Sequence, residues 1–268
     1  MKNKVVIITG ASSGIGKACA EAFGKQGAKI VITGRKAEPL QAAAEDLRKQ
    51  GIEVLPIVAD VSIEADNQKV AEQTMLLWGR IDVLINNAGI SMRALFEDLD
   101  LSVIRQLMDI NFYGTVYATK YCLPHIIASK GSIVGVSSIA GHRGLPARTG
   151  YSASKAAMQG FMEALRTELL KKDVHVLVAC PGFTSSNIRN TALTKDGTVQ
   201  GESPRDEGDM MSSEEVAQHI LKAVQQRKRD LVLTTQGKLT VFLNKWFPSF
   251  MDKMVYNHMA KEKDSPFK

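Results

Sequence analysis

The sequence predicts an α/β protein with a doubly wound parallel sheet of seven strands, helices on both faces and an amphipathic helical extension at the C-terminal end. Three observations lead to this prediction. Short β-branched runs alternate with helical patterns along residues 1–236. A glycine-rich turn directly follows the first of these runs. Residues 237–268 carry apolar side chains at steps of three and four, which is the spacing of one helix face.

The composition is typical of a globular protein without disulfides. The chain has 268 residues, of which 44% are hydrophobic and 23% charged, enough for one substantial core. Its three cysteines, Cys19, Cys122 and Cys180, are widely spaced, so we expect free thiols, no metal site and a reducing, cytoplasmic environment. The first residues show no signal-peptide pattern, and no apolar run reaches the roughly 18 residues of a membrane span.

The net charge of +6 is unevenly distributed. Residues 1–221 contain 24 basic and 24 acidic side chains, whereas residues 222–268 contain 10 basic and 4 acidic ones. The balanced body argues against a nucleic-acid-binding protein, because such proteins concentrate positive charge where phosphates bind. The excess of positive charge therefore belongs to the C-terminal segment.

The first strand and the turn after it predict a site for a pyrophosphate. Val5–Ile8 is a short β-branched run typical of a buried parallel strand. The turn Thr9–Gly16, T-G-A-S-S-G-I-G, begins a helix that extends to about Gln26. Its glycines permit a tight turn, close approach of a phosphate and close helix packing, and the helix N-terminus offers free N–H groups to the anion. The candidate contacts are Gly10, Ser12, Ser13, Gly14, Ile15 and Gly16.

The end of the second strand indicates which dinucleotide binds. Lys29–Thr33 is followed by Gly34, Arg35 and Lys36, and no carboxylate stands where a free ribose 2′-OH would need one. Two cations suit a 2′-phosphate, so the sequence favours NADP(H). The alternative is that Arg35 and Lys36 are solvated charges at the start of the next helix.

The alternation of strand and helix continues through two more units. We predict helices at 38–50 and 64–78 and strands at 54–58 and 82–85. Asp60 and Val61 follow the third strand at its carboxyl end, where such sheets bind ligands, and are candidates for contact with an adenine. Asp60 fits the approach to the next helix nearly as well.

Tyr151 and Lys155, in Y-S-A-S-K, are four residues apart and therefore lie on one face of a predicted helix. A phenol is a poor acid at neutral pH, and a nearby ammonium favours the phenolate and lowers its pKa. Such a pair can give a proton to a developing alkoxide or take one from an alcohol. The pair alone is a weak signal, because Tyr and Lys meet by chance on many solvated helix faces.

Asn86-Asn-Ala-Gly89 follows the fourth strand, and with the glycine-rich turn and Y-S-A-S-K it makes the chain resemble the short-chain dehydrogenase/reductase family. The three motifs stand in that family's order and spacing over residues 4 to about 236. The resemblance implies a Rossmann-type fold, a nicotinamide dinucleotide cofactor and chemistry at a CH–OH group. It also implies that Asn87, Ala88 and Gly89 contact the cofactor.

The resemblance implies two further catalytic positions. Ser138 follows a predicted strand at 133–136 and precedes Tyr151 by thirteen residues, the family's spacing for its catalytic serine, with Ser137 as the competing hydroxyl. Asn111 matches the family's helix asparagine. A mid-helix Asn is disfavoured by propensity, so we expect it to have a buried water or a backbone partner.

The resemblance also implies a role for each catalytic residue. Tyr151 is the general acid in reduction and the base in oxidation, while Ser138 orients the substrate oxygen. Lys155 lowers the Tyr151 pKa and holds the nicotinamide ribose, and both residues therefore also contact the cofactor. Asn111 holds a water of the proton relay. The cofactor itself supplies the hydride.

The helix that carries Tyr151 is predicted to extend to about Lys171. Small residues on it suggest a dimer seam such as the family forms at this helix, namely Ala153, Ala156, Ala157 and Gly160. The alternative is that these residues pack on the sheet. The resemblance thus implies a homodimer or a homotetramer.

The segment after the predicted strand at 174–179 resembles the turn that flanks the nicotinamide in the family. Its candidate cofactor contacts are Pro181, Gly182, Phe183 and Thr184, and Ser186 stands where many relatives have a threonine. Residues 187–211 lack clear periodicity, so we expect 184–212 to form a substrate loop or lid. A capping box at Ser212 and Glu215 begins the next helix, and 231–234 is the last predicted strand.

The tail departs from the family pattern, because many members end soon after the last strand. Its apolar residues form one stripe over two predicted helices, with Pro248 placed to begin the second; they are Leu239, Phe242, Leu243, Trp246, Phe247, Phe250, Met251, Met254, Val255 and Met259. Three interpretations stay open: a wall of the substrate cleft, a subunit interface, or a surface that lies on a membrane. All three agree with a large apolar substrate, such as a lipid-like, steroid-like or prenyl ketone.

Together these patterns predict a dinucleotide-binding and catalytic domain at 1–236 and a tail at 237–268 packed on that domain or on a partner. The predicted activity is hydride transfer between NADP(H) and the carbonyl or secondary alcohol of a small molecule. The rival hypotheses are an NADPH-binding sensor that regulates a partner through the tail, and a peripheral membrane protein with the same fold.

Overall fold

A parallel sheet forms the centre of the molecule. The computed structural model describes residues 1–201, 210–262, 265 and 267. In this part of the chain the sheet has seven strands in the order β3-β2-β1-β4-β5-β6-β7. They are β1 (Val5–Ile8), β2 (Lys29–Gly34), β3 (Val54–Val58), β4 (Val83–Asn86), β5 (Ser132–Val136), β6 (His175–Cys180) and β7 (Asp230–Val232). The order reverses between β1 and β4, and such a switch point opens a crevice outside the carboxyl ends of the strands.

Helices cover both faces of the sheet. Those of the described residues are α1 (Gly14–Gly24), α2 (Ala37–Lys49), α3 (Glu64–Trp78), α4 (Leu101–Met108), α5 (Gly114–Ser129), α6 (Thr149–Glu168), α7 (Ser213–Gln225), α8 (Thr235–Trp246) and α9 (Pro248–Ala260). Apolar residues of α1, α2 and α7 share one core with the sheet, and those of α3, α5 and α6 share a second. The predicted doubly wound architecture is therefore confirmed.

The strand residues explain why both faces are covered. Val6 and Ile8 of β1 belong to the first core, while Ile7 between them belongs to the second. Successive side chains of a strand point to opposite faces, so a strand buried on both sides is apolar at nearly every position. The neighbouring strands extend the same apolar layer, because Val6 pairs with Ile30 of β2 and with Val83 of β4.

The segment between β4 and β5 contains two helices whose bounds the sequence analysis did not define. A π-helical turn, Asp109–Tyr113, joins α4 to α5 and contains Asn111. Single π turns inside helices occur frequently at functional sites. Asn111 thus lies at a local widening of the helix and not in a regular α-helical interior.

The predicted boundary between domain and tail, after residue 236, falls inside the first turn of α8. The last strand ends at Val232, two residues before its predicted end. Thr234 then adopts a left-handed backbone with φ of 63° and caps α8 by accepting a hydrogen bond from the Gly237 N–H at 3.0 Å. Pro248 begins α9 as predicted. Among the described residues, no helix combines the length and the hydropathy that crossing a bilayer requires.

The predicted lid packs partly against the loop that follows β4. The Leu193 N–H donates to Ser91 O at 2.9 Å, and Leu193 O accepts from the Arg93 N–H at 2.8 Å. Leu193 also joins a small apolar cluster with Met92 and Leu107. Residues 202–209 of this segment lie outside the described residues, so the lid remains a prediction.

Candidate active site

The glycine-rich turn after β1 is shaped by close backbone contacts. Gly10 has φ of 63°, and a Cβ there would lie 2.7 Å from the Ala88 Cα. A Cβ on Gly16 would lie 2.5 Å from the Asn87 Nδ2 atom. No side chain fits at either position, because real Cβ atoms do not approach other atoms so closely. Gly14, which also has a positive φ of 54°, begins α1 and leaves the backbone there open to a ligand.

Thr9 and Asn87 tie this turn to the loop after β4. The Asn87 side-chain amide donates to Thr9 O at 2.9 Å and to Gly10 O at 3.0 Å. The Thr9 hydroxyl oxygen accepts from the backbone N–H groups of Asn87 and Ala88, each at 3.0 Å. Both Nδ2 donor bonds of Asn87 thus go to the protein, so its predicted cofactor contact rests on its other atoms. Thr9 is the first residue of the glycine-rich motif, but the sequence analysis did not include it among the candidate site residues.

The residues predicted to select the cofactor lie together at the ends of β2 and β3. Arg35 is 53% exposed, and its Nη1 atom lies 4.0 Å from the Asp60 Oδ2 atom. Lys36 is exposed beside it, and Ser12 Oγ lies near Gly34. Asp60 also fits its alternative role at the approach to the next helix. Its Oδ1 atom accepts from the Ser62 N–H at 2.9 Å, just before α3 begins.

Val61 follows Asp60 and is buried against α5. A Cβ on Gly114 would lie 2.9 Å from the Val61 Cβ, so the two segments are in tight contact. Ser13 is exposed before α1, and Ile15 lines the cleft described next. The predicted contacts of the adenine half and the pyrophosphate half therefore lie at the carboxyl ends of β1, β2 and β3, next to the switch point between β1 and β4.

One cleft contains three of the four predicted catalytic residues. It is lined by Ser138, Tyr151 and Lys155, by Gly89 and by the segment Pro181–Thr184. Ser138 and Tyr151 lie close enough for the Ser138 hydroxyl to lower the pKa of the phenol. The Lys155 Nζ atom donates to Val136 O at 2.8 Å and lies 5.9 Å from the centre of the Tyr151 ring. The spacing seen in the sequence therefore corresponds to one shared cavity.

Burial dominates the acid–base properties of this cleft. It raises the pKa of the Tyr151 phenol above its ordinary value of 10.0, while Ser138, Arg148 and Arg189 act to lower it. Burial also lowers the pKa of the Lys155 ammonium to about 8. The Tyr151 pKa in the protein without ligand is therefore raised and not lowered, because desolvation of the phenol outweighs the nearby charges.

Asn111 is the fourth predicted catalytic residue and is completely buried. Its Oδ1 atom accepts from the Ile90 N–H at 2.8 Å, and its Nδ2 atom donates to Ile90 O at 3.0 Å and to Ser154 Oγ at 2.9 Å. The expected backbone partner is therefore present. These bonds join the π turn to the loop after Gly89 and to α6, which carries Tyr151.

The two adjacent serines after β5 have different partners. The Ser137 hydroxyl donates to Lys155 O at 3.1 Å and accepts from the Gln159 side-chain amide at 2.9 Å. The Ser138 oxygen accepts from the Ala140 N–H at 3.1 Å, and this hydroxyl acts to lower the Tyr151 pKa. Both serines line the cleft, but the side-chain bonds of Ser137 fix the β5 end to α6.

Two buried guanidinium groups in the cleft were missed by sequence reasoning. Arg148 donates to Met92 O at 3.3 Å, and Arg189 donates to Thr184 O at 2.8 Å. Arg148 stands three residues before Tyr151. This helical spacing was the one feature of the sequence that could have placed Arg148 near the catalytic tyrosine. Nothing in the irregular segment around Arg189 marked it in advance.

The tail packs behind one side of the cleft. Met251, Val255 and Met259 are buried together with Leu145, which also lines the cleft. The ring centres of Phe183 and His258 are 6.2 Å apart. Glu262, which is buried, lies 3.5 Å from the Arg93 Nε atom and 4.0 Å from the Arg148 Nη2 atom. Part of the predicted stripe therefore packs behind Leu145, which separates it from the cleft.

The groove and the cleft together fit a dinucleotide. Gly14, which has a positive φ, lies at the N-terminus of α1 and leaves backbone N–H groups accessible to a pyrophosphate. At Gly89, a Cβ would lie 3.1 Å from the Asn111 Oδ1 atom and 3.3 Å from the Lys155 Nζ atom, so a side chain would fill the space beside the lysine. The absence of side chains along this path is what a bound nicotinamide ribose would require.

Comparison with known proteins gives consistent matches over most of the chain. A family profile described as short chain dehydrogenase matches residues 4–197. The dehydrogenase/reductase SDR family member 7B of Mus musculus is 36% identical over 271 residues, covering 99% of this chain and 84% of its own. The Danio rerio protein of the same name is 35% identical, with coverages of 98% and 87%. An SDR family protein 7-like of Dictyostelium discoideum is 32% identical, with coverages of 95% and 81%.

Two solved structures share the fold. A short chain dehydrogenase/reductase from Burkholderia phymatum in complex with NAD has a TM-score of 0.84 at 24% identity, covering 93% of this chain and 95% of its own. An alcohol dehydrogenase from Thermococcus sibiricus complexed with 5-hydroxy-NADP has a TM-score of 0.76 at 23% identity, with coverages of 87% and 96%. The fold thus accommodates both dinucleotides in other proteins.

Proposed function

Since the chain belongs to the short-chain dehydrogenase/reductase family, we propose that it transfers a hydride between NADP(H) and the carbonyl or secondary alcohol carbon of an apolar small molecule. The observation that carries this proposal is the convergence of Tyr151, Ser138 and Lys155 on one cleft that also includes Gly89 and reaches Ile15 of the glycine-rich turn. When bound, the nicotinamide supplies or accepts the hydride. The remaining steps are assigned to this chain's own residues.

Tyr151 and Ser138 act on the substrate oxygen in this proposal. The Tyr151 hydroxyl gives its proton to the oxygen during reduction, and Ser138 donates a hydrogen bond that stabilises the developing charge. Because burial keeps the phenol protonated, the resting protein is ready for reduction. Burial also excludes water, which strengthens both interactions.

Lys155 and Asn111 act behind the tyrosine. We assign the Lys155 ammonium to the ribose hydroxyls of the nicotinamide, beside Gly89, where no side chain intervenes. Asn111 Oδ1 keeps one lone pair after its bond with Ile90. A water in the space next to Gly89 would bridge this oxygen and Lys155, and this is the proton relay that the sequence suggested.

Titration of Tyr151 provides a direct test of these roles. Burial raises its pKa above 10.0, so the phenol of the ligand-free protein should stay protonated through neutral pH and ionise above pH 10. The measurement is phenolate ultraviolet absorbance against pH, as the difference between wild type and Tyr151→Phe. Reduction should accordingly change little through neutral pH, whereas oxidation should speed up as pH rises. A Tyr151 phenolate that forms at neutral pH would contradict this assignment.

Arg35 and Lys36 support NADP(H) as the cofactor. Both are exposed at the end of β2, where the 2′-phosphate of a bound dinucleotide would lie. The Arg35→Ala variant should lose about tenfold in kcat/KM with NADPH and change little with NADH, because an exposed charged contact contributes about 1–2 kcal/mol. The ratio of the two efficiencies is the measurement, and Arg227→Ala, a surface change beside Asp173, is the control. A wild type that prefers NADH would contradict the assignment.

The lining of the cleft supports an apolar substrate. Ile15, Leu145, Phe183 and Ile188 contribute to the lining, and the tail cluster around Met251 packs behind Leu145. Apolar and Met-rich walls accept irregular hydrocarbon ligands by dispersion contacts. We therefore retain the lipid-like, steroid-like or prenyl ketone class as the proposed substrate.

A homodimer or homotetramer is part of the proposal. Ala153, Ala156 and Gly160 are exposed on α6, and a Cβ on Gly160 would meet nothing within 4 Å. These residues therefore do not pack on the sheet, which supports the predicted seam between two α6 helices. The three cysteines of the chain are buried and free, which supports the proposed cytoplasmic location.

A further inference from the structure

The apolar stripe of the tail divides into two faces. Its inner face is the buried set Met251, Val255 and Met259 beside Leu145. Its outer face is exposed. The large side chains Leu239, Phe242, Trp246, Phe247 and Phe250 are each between 54% and 61% exposed, and Met254 is 38% exposed. Five such side chains on two consecutive helices form more exposed apolar surface than scattered single residues would.

The outer face is held on a folded support. A Cβ on Gly237 would lie 2.9 Å from the Ile139 Cδ1 atom, so α8 lies directly on the segment after β5. The Asn244 side-chain amide donates to His142 O at 3.0 Å and accepts from the Arg143 guanidinium at 3.1 Å. Arg143 also binds Asp252 of α9. The exposed side chains are therefore preorganised, which lowers the entropy cost of binding a surface.

Charge around the outer face is positive. Residues 235–261 contain four lysines, Lys238, Lys245, Lys253 and Lys261, and one acidic residue, Asp252. Asp252 is bound to Arg143, so its charge is compensated within the protein. Lys245 lies 5.9 Å from the centre of the Trp246 ring, which places a cation directly beside an exposed indole.

This charge pattern distinguishes between the candidate occupants. Two copies of the chain that met through this face would bring lysines of like sign together, which opposes association. An anionic bilayer complements both features, since its headgroups attract lysines and its acyl boundary accepts aromatic side chains. Tryptophan in particular favours the membrane–water interface.

We propose that the outer face of α8 and α9 docks on an anionic lipid surface, with both helices lying in the plane of the interface. Leu239, Phe242, Trp246, Phe247 and Phe250 enter the headgroup and acyl boundary, and the lysines contact the phosphates. Docking does not depend on catalysis. A consequence that does rest on the proposed function is that the tail, whose inner face packs behind Leu145, brings the cleft near the bilayer from which an apolar ketone can enter.

The test is co-sedimentation of the full chain with vesicles of phosphatidylcholine and phosphatidylserine, and with phosphatidylcholine alone. Wild type should sediment with the anionic vesicles and less in added salt, because exposed charges are screened. The Trp246→Ser/Phe247→Ser/Phe250→Ser variant should partition at least about tenfold less, since it removes the buried apolar area. Lys245→Glu/Lys253→Glu should weaken binding to anionic vesicles. The matched control is Leu76→Ser/Leu170→Ser, which removes exposed apolar side chains from other surfaces.

A second measurement reports the position of the face itself. The chain contains two tryptophans, Trp78 and Trp246, so Trp78→Phe leaves Trp246 as the one reporter. Its emission should shift to the blue on addition of anionic vesicles. The proposal is overturned if wild type stays in the supernatant, if the triple variant and the control bind equally, or if the Trp246 emission does not move. If wild type is a dimer, the triple variant is a monomer and neither binds vesicles, the outer face would be assigned to contact with a second copy instead.

Discussion

Replacing Tyr151 with Phe should lower kcat/KM for carbonyl reduction by about 10²- to 10⁴-fold, the range expected when a general acid is lost. The hydroxyl is the group that lies beside Ser138 in the cleft proposed to bind the substrate. The ring itself packs against the cluster around Met92 and Leu107, and Phe preserves that packing. Steady-state rates with NADPH and a panel of apolar ketones are the measurement.

The interpretation of this variant depends on two controls. NADPH affinity should stay within about threefold of wild type, because the groove at Gly14 is untouched and the loss should appear in the chemical step. Tyr121→Phe removes a phenol whose hydroxyl donates to the Glu64 carboxylate at 2.7 Å on the surface, and it should retain full activity. A Tyr151→Phe rate near that of wild type would contradict the catalytic assignment. Wild type that binds NADPH but reduces none of the ketones would favour the sensor hypothesis.

Local features of the chain made much of the fold predictable. The strand at Val5–Ile8, the helix at Glu64–Trp78 and the start of α9 at Pro248 were predicted with the bounds that the structure has. Each depends on residues within a few positions, namely a β-branched run, a helical period or a proline at the first turn. The glycine-rich turn was equally predictable, because the contact between Gly10 and Ala88 permits no side chain.

Features that depend on burial or on distant segments were not predictable. The spacing of Tyr151 and Lys155 suggested a lowered phenol pKa, but the depth of the cleft raises it, and depth is a property of the folded chain. Arg189 and Glu262 reach the cleft from an irregular segment and from the tail, and no periodicity marks either. The stripe of the tail looked uniform, whereas Met251 is buried and the adjacent Phe250 is 59% exposed.

Replacing Lys155 with Met should abolish turnover and yet stabilise the ligand-free protein at neutral pH. Lys155 is 3% exposed, and burial lowers its pKa from 10.5 to about 8. This lowering of the Lys155 pKa means that the protonated lysine destabilises the folded state by roughly 3 kcal/mol. Methionine has a similar volume and no charge, but it loses the hydrogen bond to Val136 O, about 1 kcal/mol. The free energy of unfolding should therefore rise by roughly 2 kcal/mol.

The stabilisation should depend on pH in a defined direction. Between pH 8 and 10.5 the unfolded chain keeps the proton on Lys155 while the folded chain has released it, so wild-type stability from this group rises with pH. Below pH 8 both states hold the proton, and the full cost of the buried ammonium is present. The advantage of Lys155→Met should thus be largest at neutral pH and should disappear as pH approaches 10.5. Urea unfolding at several pH values, without dinucleotide, measures it.

A matched control separates the effect of a buried ammonium from the loss of any lysine. Lys69→Met removes an exposed lysine of α3, so it should leave the free energy of unfolding nearly unchanged. Activity is the second measurement. The kcat/KM of Lys155→Met should be lower than that of wild type by at least about a hundredfold, and the kcat/KM of Lys69→Met should not be lower. A Lys155→Met variant that is less stable than wild type at pH 7 would show that the ammonium is compensated in the cleft. A stable, inactive variant would show that this chain gives up stability to keep a cation beside Tyr151, as stability–activity trade-offs at active sites predict.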